Sequence, residues 1–376
     1  MKTFAFSMIL GATAALLGGC GSDDAKNDPA PTNGASAGRG GTAGSSAGSS
    51  GSTTGGTGGS SAGSSSIAGS GAVQSNGPPC TSGLGPSLDE RTDVETLRVS
   101  PGLSFIGELL VDSHGVFWYE NDDVMRMPLA GGEPVVVATG DYEPFRTSAT
   151  DLYLLGKRNS GALLPIALSV VPADASAATP TELLTVGDGE LVIEFDGEYL
   201  YLYSDATQTL ERAALADGTR TVVAETVSYR VGGQLNGDYL YYQNDMQQIM
   251  RVAKAGGTPE PLLYEFDMWS FDIVGDTVLI GGYKEVMTTP LAAPAQPTIV
   301  MNIGDGFVDG LMLSNGKIFY ENWDQAIGWV NLDGTMCEGL FRSPFFFTTV
   351  KFFEGHVYIA GSGAGDDATI QRVPLP

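Results

Sequence analysis

Acidic side chains collect in the loops that follow the aromatic, alternating runs of this sequence. Carboxylate oxygens bind Ca²⁺, and a pair of carboxyl groups serves as acid and base in glycoside hydrolysis. No loop has the D-x-[DN]-x-[DN]-G spacing of a calcium site, so solvated acidic turns are the competing interpretation. The acidic residues concerned are Glu120, Asp122, Asp123, Asp205, Asp245, Asp305, Asp309, Glu321, Asp324, Asp366 and Asp367.

Other catalytic signatures are missing from the sequence. His114 and His356 are the only histidines, and neither has metal-ligand spacing or a candidate nucleophile beside it. Residues 44–48, GSSAG, match the G-x-S-x-G pattern, but that motif requires a preceding strand and a following helix, and neither is predicted here. Catalysis would therefore rest on the loop carboxylates, and the sequence leaves open whether the protein is an enzyme.

The charge balance restricts the partners of the protein. The chain has 44 acidic and 19 basic side chains and a formal net charge of -25. Nucleic-acid binding needs clustered Lys and Arg, so we expect no nucleic-acid partner. The acidic excess favours an aqueous compartment or a cationic partner. No motif predicts a cofactor, and Ca²⁺ is the one weakly supported ion.

The first twenty residues have the order of a targeting signal. Lys2 is followed by a short apolar stretch over residues 4–17 and then by Leu17-Gly18-Gly19-Cys20. The stretch is too short for a membrane span, and an ordinary secretory signal is the alternative. The segment resembles the lipobox of bacterial lipoproteins, which implies a signal peptide over residues 1–19 and lipidation of Cys20. Gly21, in place of a retention Asp, implies the outer membrane of a Gram-negative bacterium.

Residues 20–79 are rich in Gly, Ser, Ala and Thr and have almost no large apolar side chain. Such a segment cannot bury enough surface to offset its ordering entropy. We therefore predict a flexible linker with a root-mean-square span of roughly 40–45 Å. The folded domain is predicted to comprise residues 80–376.

The rest of the chain repeats one unit of alternating strands and tight turns about every 40 residues, which is typical of β-propeller blades. No sustained helical period is present, so we expect an all-β fold of about seven four-stranded blades. Six blades with a small N-terminal sheet are the alternative. Residues 96–99 are predicted to complete the last blade and to close the ring. The residues that open the second strand of each repeat are Gly115, Asp151, Gly197, Gly237, Gly275, Gly316 and Gly355.

The repeats resemble TolB-like and YWTD-like propellers, and more narrowly bacterial repeats with a Tyr-Tyr-x-Asn strand and a Gly-Gly turn. The resemblance covers residues 97–376 and rests on the runs FWYEN, YLYYQND and IFYEN and on their AGG and ADG turns. The Tyr-Trp-Thr-Asp tetrad of the receptor propellers is absent. The resemblance therefore implies the fold and no activity.

A propeller has two faces, which we name by their loops. The AB face has the A–B and C–D turns, and the BC face has the B–C loops and the D–A connections. Cys337 is predicted in the C–D turn of blade six, and the chain enters the closing strand near it from Cys80. This placement predicts a Cys80–Cys337 disulfide in an oxidising envelope, with two unpaired thiols as the alternative. The BC face would then point away from the membrane.

The D–A connections of the BC face are rich in aromatic side chains. Aromatic rims with a few charges are typical ligand sites, although such rings also fill the space between blades. We predict a monomeric, membrane-anchored binding module for a glycan, a peptide or an envelope protein, with a polysaccharide-acting enzyme or a ligand-free scaffold as alternatives. The predicted rim comprises Tyr142, Phe145, Arg146, Tyr229, Arg230, Phe266, Trp269, Phe307, Phe345 and Phe346.

Overall fold

The computed structural model describes residues 85–376, apart from residues 103–105, 157–165, 265–266, 295, 324–325, 343–346 and 363–366. These residues belong to one compact unit. They form antiparallel strands and a short 3-10 helix at Leu88–Glu90, and none of their helices could cross a membrane. The predicted signal peptide, Cys20, the linker and Cys80 lie outside this part of the chain and stay predictions.

The first three blades follow the predicted order of strands. The leading strand β1 (Glu95–Ser100) belongs to the last blade and is described with it. Blade one consists of β2 (Leu109–Asp112), β3 (Gly115–Glu120), β4 (Asp123–Met127) and β5 (Val135–Thr139). Blade two consists of β6 (Tyr142–Thr147), β7 (Asp151–Gly156), β8 (Ile166–Pro172) and β9 (Thr181–Val186). Blade three consists of β10 (Glu190–Phe195), β11 (Tyr199–Ser204), β12 (Thr209–Ala214) and β13 (Arg220–Ala224).

The remaining blades include one irregular pair. Blade four consists of β14 (Val231–Asn236), β15 (Tyr239–Gln243), β16 (Gln248–Ala253) and β17 (Glu260–Tyr264). Blades five and six share a six-stranded sheet of β18 (Met268–Val274), β19 (Thr277–Pro290), β20 (Thr298–Ser314), β21 (Lys317–Asn322), β22 (Ala326–Asn331) and β23 (Cys337–Arg342). Blade seven consists of β24 (Phe347–Phe353), β25 (His356–Ser362), β26 (Ala368–Pro374) and β1.

Two long strands join blades five and six. The first part of β19 pairs with β18, and its second part pairs with β20. The first part of β20 pairs with β19, and its second part pairs with β21. Lys284 lies within β19 at a φ of 71°, which bends the strand between these two pairings. Each long strand therefore serves two blade positions, and blade five is irregular in sequence for this reason.

Alternate side chains of each strand pack against different neighbouring blades. In β11, Leu200 and Leu202 belong to a core cluster with blade two. Tyr201 and Tyr203 of the same strand belong to a core cluster with blade four. Because the strand is covered on both faces, apolar side chains occupy both alternating sets. The core is thus divided into layers between adjacent blades.

The ring closes as predicted, because β1 is the outer strand of blade seven. It pairs antiparallel with β26 from Glu95 opposite Arg372 to Ser100 opposite Ala368. Arg98 of β1 also reaches blade one, where its guanidinium donates to Glu120 at 3.0 Å. The described residues therefore form a seven-bladed β-propeller, and the all-β fold prediction is confirmed.

The first strand of each blade lines the central axis. β2 contacts β6 and β24, and β14 contacts β10 and β18, so neighbouring first strands surround one channel. The predicted turn residues lie in the A–B turns, as shown by Asn236 opposite Tyr239 around Gly237, whose φ is 58°. The AB face is thereby defined by these turns.

A segment before β1 covers the outer edge of blade six. Ser87 forms a parallel bridge to Arg342, and the Arg342 N–H donates to the carbonyl of Pro86 at 2.9 Å. The Arg91 guanidinium donates to the Leu340 carbonyl at 3.2 Å. This cover satisfies part of the exposed edge of β23, which would otherwise be free to pair with another chain.

Candidate functional site

Part of the predicted rim lies inside the core rather than on the surface. Phe145 is buried between blades two and three, 6.4 Å from Phe195 between ring centroids. Tyr142 packs against the core cluster between blades one and two. Phe266, Phe345 and Phe346 belong to the residues that the structure does not describe.

Tyr229 also packs between blades. Its ring centroid lies 5.2 Å from that of Tyr203 and 6.3 Å from that of Tyr242. Burial raises the pKa of the Tyr229 hydroxyl, with a further contribution from the Glu194 carboxylate. Arg230, next to Tyr229, is exposed. For Tyr142, Phe145 and Tyr229, the structure matches the alternative in which rim aromatics fill the interblade space.

Trp269 and Phe307 form an exposed cluster together with Tyr283 and Trp323, which we call the aromatic patch. The centroid distances from Phe307 are 4.1 Å to Trp269, 5.0 Å to Tyr283 and 5.8 Å to Trp323. Trp269, Tyr283 and Trp323 are 37%, 40% and 59% exposed. Because large aromatic side chains are seldom left in water as a contiguous group, this surface is a candidate binding site.

The junction of blades four, five and six holds the patch in place. The Trp323 N–H donates to the Phe307 carbonyl at 2.9 Å, and the Tyr283 N–H donates to the Asp267 carbonyl at 3.2 Å. The Asp267 N–H donates to the Gln247 side chain of blade four at 2.8 Å. The backbones of Trp323, Phe307 and Tyr283 are thus fixed by hydrogen bonds on the BC face.

Two acidic groups lie two residues from the patch along the chain. Asp309 occupies the register shift between Val308 and Gly310, and Glu321 pairs with Gly310. Burial raises the pKa of Glu321 to about 8, the Asp309 charge adds to the shift, and Lys351 opposes it. Burial likewise raises the pKa of Asp309 to about 6. At neutral pH, one carboxyl of this pair is therefore largely protonated.

The channel is lined by a ring of side chains from the first strands, and five of the seven are polar. Each stands one or two residues before the end of its strand. The Arg146 guanidinium donates to the Glu194 carboxylate at 2.7 Å. Burial lowers the pKa of Lys351 to about 8, against the pull of Glu108 and Glu321. The ring residues are Leu110, Arg146, Glu194, Gln234, Asp272, Met312 and Lys351. Arg146 therefore lines the channel and is not part of the aromatic patch.

The acidic loops do not assemble a metal site within the described residues, where no group of three His, Cys, Asp or Glu side chains could hold an ion. Asp324 and Asp366 fall outside that part of the chain. His114 lies in the A–B turn of blade one and contacts Asp112, 3.3 Å from ring nitrogen to carboxylate. His356 lies in the corresponding turn of blade seven. The Ca²⁺ alternative remains untested.

Comparison with known proteins identifies the fold alone. The chain is similar to the WD40 β-propeller domain of Doa1, at 12% identity over 75% of this chain and 97% of that one, with a TM-score of 0.53. It is similar to YCF48 bound to D1 peptide, at 10% identity over 77% and 99% of the two chains, with a TM-score of 0.55. It is also similar to YCF48 from Cyanidioschyzon merolae, at 8% identity over 75% and 99%, with a TM-score of 0.56. These are β-propellers. No protein-family model and no curated protein sequence matches the chain.

Tyr283 and Trp323 were not among the predicted rim residues. The predicted rim was drawn from the D–A connections, and the B–C loops were singled out only for their carboxylates. Tyr283 stands beside the bend of β19, and Trp323 stands in the B–C loop of blade six. A tryptophan within the polar run ENWDQ was the available signal, since polar loops seldom expose such a ring.

Proposed function

We propose that the protein is a binding module that engages a basic polypeptide segment of an envelope partner through the aromatic patch. The observation that carries the proposal is the exposure of three of its rings around Phe307. Aromatic side chains and Met are enriched where protein interfaces are tightest, and Trp and Tyr dominate their energetics. Met246, 64% exposed, lies in the same blade-four loop as Gln247, which bonds to Asp267.

The charge around the patch supports a basic partner. Asp267, Glu285 and Asp309 each lie two residues from a member of the patch along the chain, and the amine of Lys284, next to Tyr283, already lies 4.7 Å from the centre of that ring. The whole chain also has a net charge of -25. Opposite charge would steer a basic segment to this face and speed association at low salt. The rings meet at steep angles, with Trp269 and Trp323 at 89°, which favours an irregular side-chain surface over a flat sugar ring.

The proposal includes the predicted envelope anchor. A diacylated Cys20 and the flexible residues 20–79 would hold the propeller at the outer membrane and let the BC face search some tens of ångströms around it. Recovery of the wild-type protein from the aqueous phase of a detergent partition would contradict the anchor.

The patch is tested by single ring removals. We expect Trp323→Ala and Trp269→Ala each to weaken binding to basic peptides about 10- to 30-fold, because a buried Trp anchor contributes about 2 kcal/mol. The measurement is peptide-array binding followed by calorimetry on the mature protein. Tyr239→Ala is the matched control, since this ring is 38% exposed but lies at the AB end of β15, away from the patch. Equal binding by all three variants would remove the patch from the proposal.

A second candidate function is hydrolysis of an envelope polysaccharide. It is favoured by the Asp309 and Glu321 carboxyls, since one group that is protonated and one that is ionised near neutrality match the roles of acid and base. Glycan arrays run in parallel separate the two functions. Cleavage of a bound polysaccharide by the wild-type protein, lost in Glu321→Gln, would establish the enzyme instead of the polypeptide-binding module.

The predicted Cys80–Cys337 disulfide is supported by the segment that covers blade six. Ser87 bridges Arg342 in parallel, Cys337 precedes Arg342 by five residues, and Cys80 precedes Ser87 by seven. Continuing this run toward the N-terminus would bring the two cysteines together. We expect Cys337→Ser to lower the free energy of unfolding by about 2–4 kcal/mol, as removal of a long-loop disulfide does.

Thermal melting with and without reductant measures that effect, and Met336→Ser, an exposed neighbour, is the control. The wild-type protein should show no mass shift when alkylated without reduction. A shift at both Cys80 and Cys337 would demonstrate free thiols and end the proposal.

A further inference from the structure

A cavity of 640 Å³ opens at the AB face, at the end of the propeller opposite the aromatic patch. Its walls come from the first strands of blades one to five and from the A–B turns of blades one to three. This volume lies within the range of small-molecule sites. The cavity does not depend on the patch, so an inference drawn from it stands apart from the proposed function.

Most charged groups of the cavity wall are already paired within the fold. Asp112 accepts from the His114 N–H at 2.7 Å. Asp196 accepts from the Tyr199 N–H at 2.8 Å and from the Tyr201 hydroxyl at 3.0 Å. The hydrogen bonds to these two carboxylates therefore stabilise the A–B turns of blades one and three. They add negative charge to the cavity wall, but their hydrogen bonds within the turns already occupy them.

Asp272 is different, because it is only 3% exposed and lacks a cationic partner within the described residues. One carboxylate oxygen accepts from the Gln234 amide, and the Ile273 N–H also lies close to the carboxylate. Gln234 is itself held by β18, since the Ile273 N–H donates to its oxygen at 2.6 Å. An isolated buried carboxylate is costly unless a hydrogen-bond donor reaches it. Asp272 lines the cavity, so a donor that enters the cavity can approach this carboxylate.

Burial raises the pKa of Asp272 to about 6, against the hydrogen bonds from Gln234 and the Ile273 N–H. The group is still mostly ionised at neutral pH. A donor that entered the cavity would therefore meet a poorly solvated negative charge, where electrostatic attraction is stronger than in water.

Two glycines in the cavity wall let β14 pack closely against its neighbouring strands. The intervening strand β14 presents Gly232 and Gly233 to the cavity. A Cβ at Gly233 would lie 2.1 Å from a methyl carbon of Ile193, and a Cβ at Gly232 would lie 3.0 Å from the Phe271 ring. A larger residue at either position would push β14 away from Ile193 or Phe271 and so change the wall between Glu194 and Asp272.

We propose that this cavity binds a small organic cation that bears a primary amine or a guanidinium, with its N–H groups donating to Asp272 and Glu194. The lining has four carboxylates, and its Arg146 is already paired with Glu194. Phe195, Phe271 and Leu235 provide apolar contact for an aliphatic stem. The carboxylates do not converge as metal ligands within the described residues, which favours an N–H donor over a divalent ion.

Calorimetry with cadaverine and spermidine tests the proposal, with 1,5-pentanediol as a neutral molecule of cadaverine's length. We expect saturable binding of the amines at the mature protein, at least 10-fold weaker binding of the diol, and at least 10-fold weaker amine binding in Asp272→Asn. Asp217→Asn is the matched control, because Asp217 is an exposed carboxylate in the C–D turn of blade three on the same face. Equal affinity for amine and diol, or unchanged amine binding in Asp272→Asn, overturns the proposal.

Ser113→Trp serves as a second variant in case Asp272→Asn does not fold. Ser113 lines the cavity from an exposed turn position, so a large ring there narrows the opening without touching the carboxylates. Amine binding should fall at least 10-fold while thermal melting stays close to that of the wild-type protein. Retained amine affinity in this folded variant would place the bound amine outside the cavity and reject the site.

Discussion

A protein that begins at residue 102 is expected not to fold, or to unfold at a temperature at least 10 °C lower than one that begins at residue 85. Only the longer protein retains β1, which supplies the outer strand of blade seven. Loss of its ladder with β26 and of its buried contacts would cost about 4–8 kcal/mol, which is comparable to the whole stability of a domain. Both proteins lack Cys80, so the disulfide does not enter the comparison.

Circular dichroism and size-exclusion chromatography measure the outcome, and a milder variant keeps the experiment informative. Arg98 of β1 donates to Glu120, which also accepts from the Trp118 indole at 2.8 Å. Arg98→Ala leaves the buried Glu120 without its cation and should destabilise the fold by about 2–4 kcal/mol. Equal melting temperatures for both truncations and for Arg98→Ala would show that β1 does not close the ring.

The protein is expected to be less stable at pH 8 than at pH 5 by about 1–3 kcal/mol, after allowance for solvent screening of these partly exposed groups. Burial raises the pKa of Glu321 from 4.5 to about 8 and that of Asp309 from 3.8 to about 6. Between the unfolded-state and folded-state pKa of each group, the folded protein holds a proton that the unfolded chain has released. The free energy of unfolding therefore falls as the pH rises through this range. Burial lowers the pKa of Lys351 from 10.5 to about 8. Its titration therefore increases the stability of the folded protein only as the pH rises above about 8.

Chemical denaturation at several pH values gives the profile directly. Glu321→Gln should flatten it, because the amide keeps the shape of the protonated acid but cannot ionise. Glu338→Gln in the same blade is the control, since that side chain is exposed. A rise in stability from pH 5 to pH 8, or a profile that Glu321→Gln leaves unchanged, would refute the assignment.

The sequence predicted the fold well because each blade repeats local signals. The sequence predicts residues 96–99 as a strand of the last blade, and β1 confirms that prediction. Turn glycines such as Gly237 are visible because a two-residue turn needs a positive φ there. The fusion of blades five and six was not predictable, since the positive φ falls on Lys284 and not on the nearby Gly281 or Gly282.

The candidate sites were harder to predict because their residues come from different repeats. The ring that includes Glu194, Gln234 and Asp272 takes one side chain from each blade, about 40 residues apart in the chain. Nothing local in a strand indicates which alternate residue faces the channel, since both sets of positions are buried. Trp269, Phe307 and Phe145 were all predicted as rim residues because they lie in D–A connections. Trp269 and Phe307 belong to the exposed patch, whereas Phe145 packs between blades.

The cover that residues 85–91 place on blade six has a mechanical consequence. When the proposed Cys80–Cys337 disulfide is reduced, tension applied from the N-terminal side reaches the Ser87–Arg342 bridge and the Arg91–Leu340 hydrogen bond before it reaches β1. These contacts on blade six would then break before the closing strand is loaded. In a force-extension experiment under reducing conditions, this segment should detach first and lengthen the free chain before the ring opens.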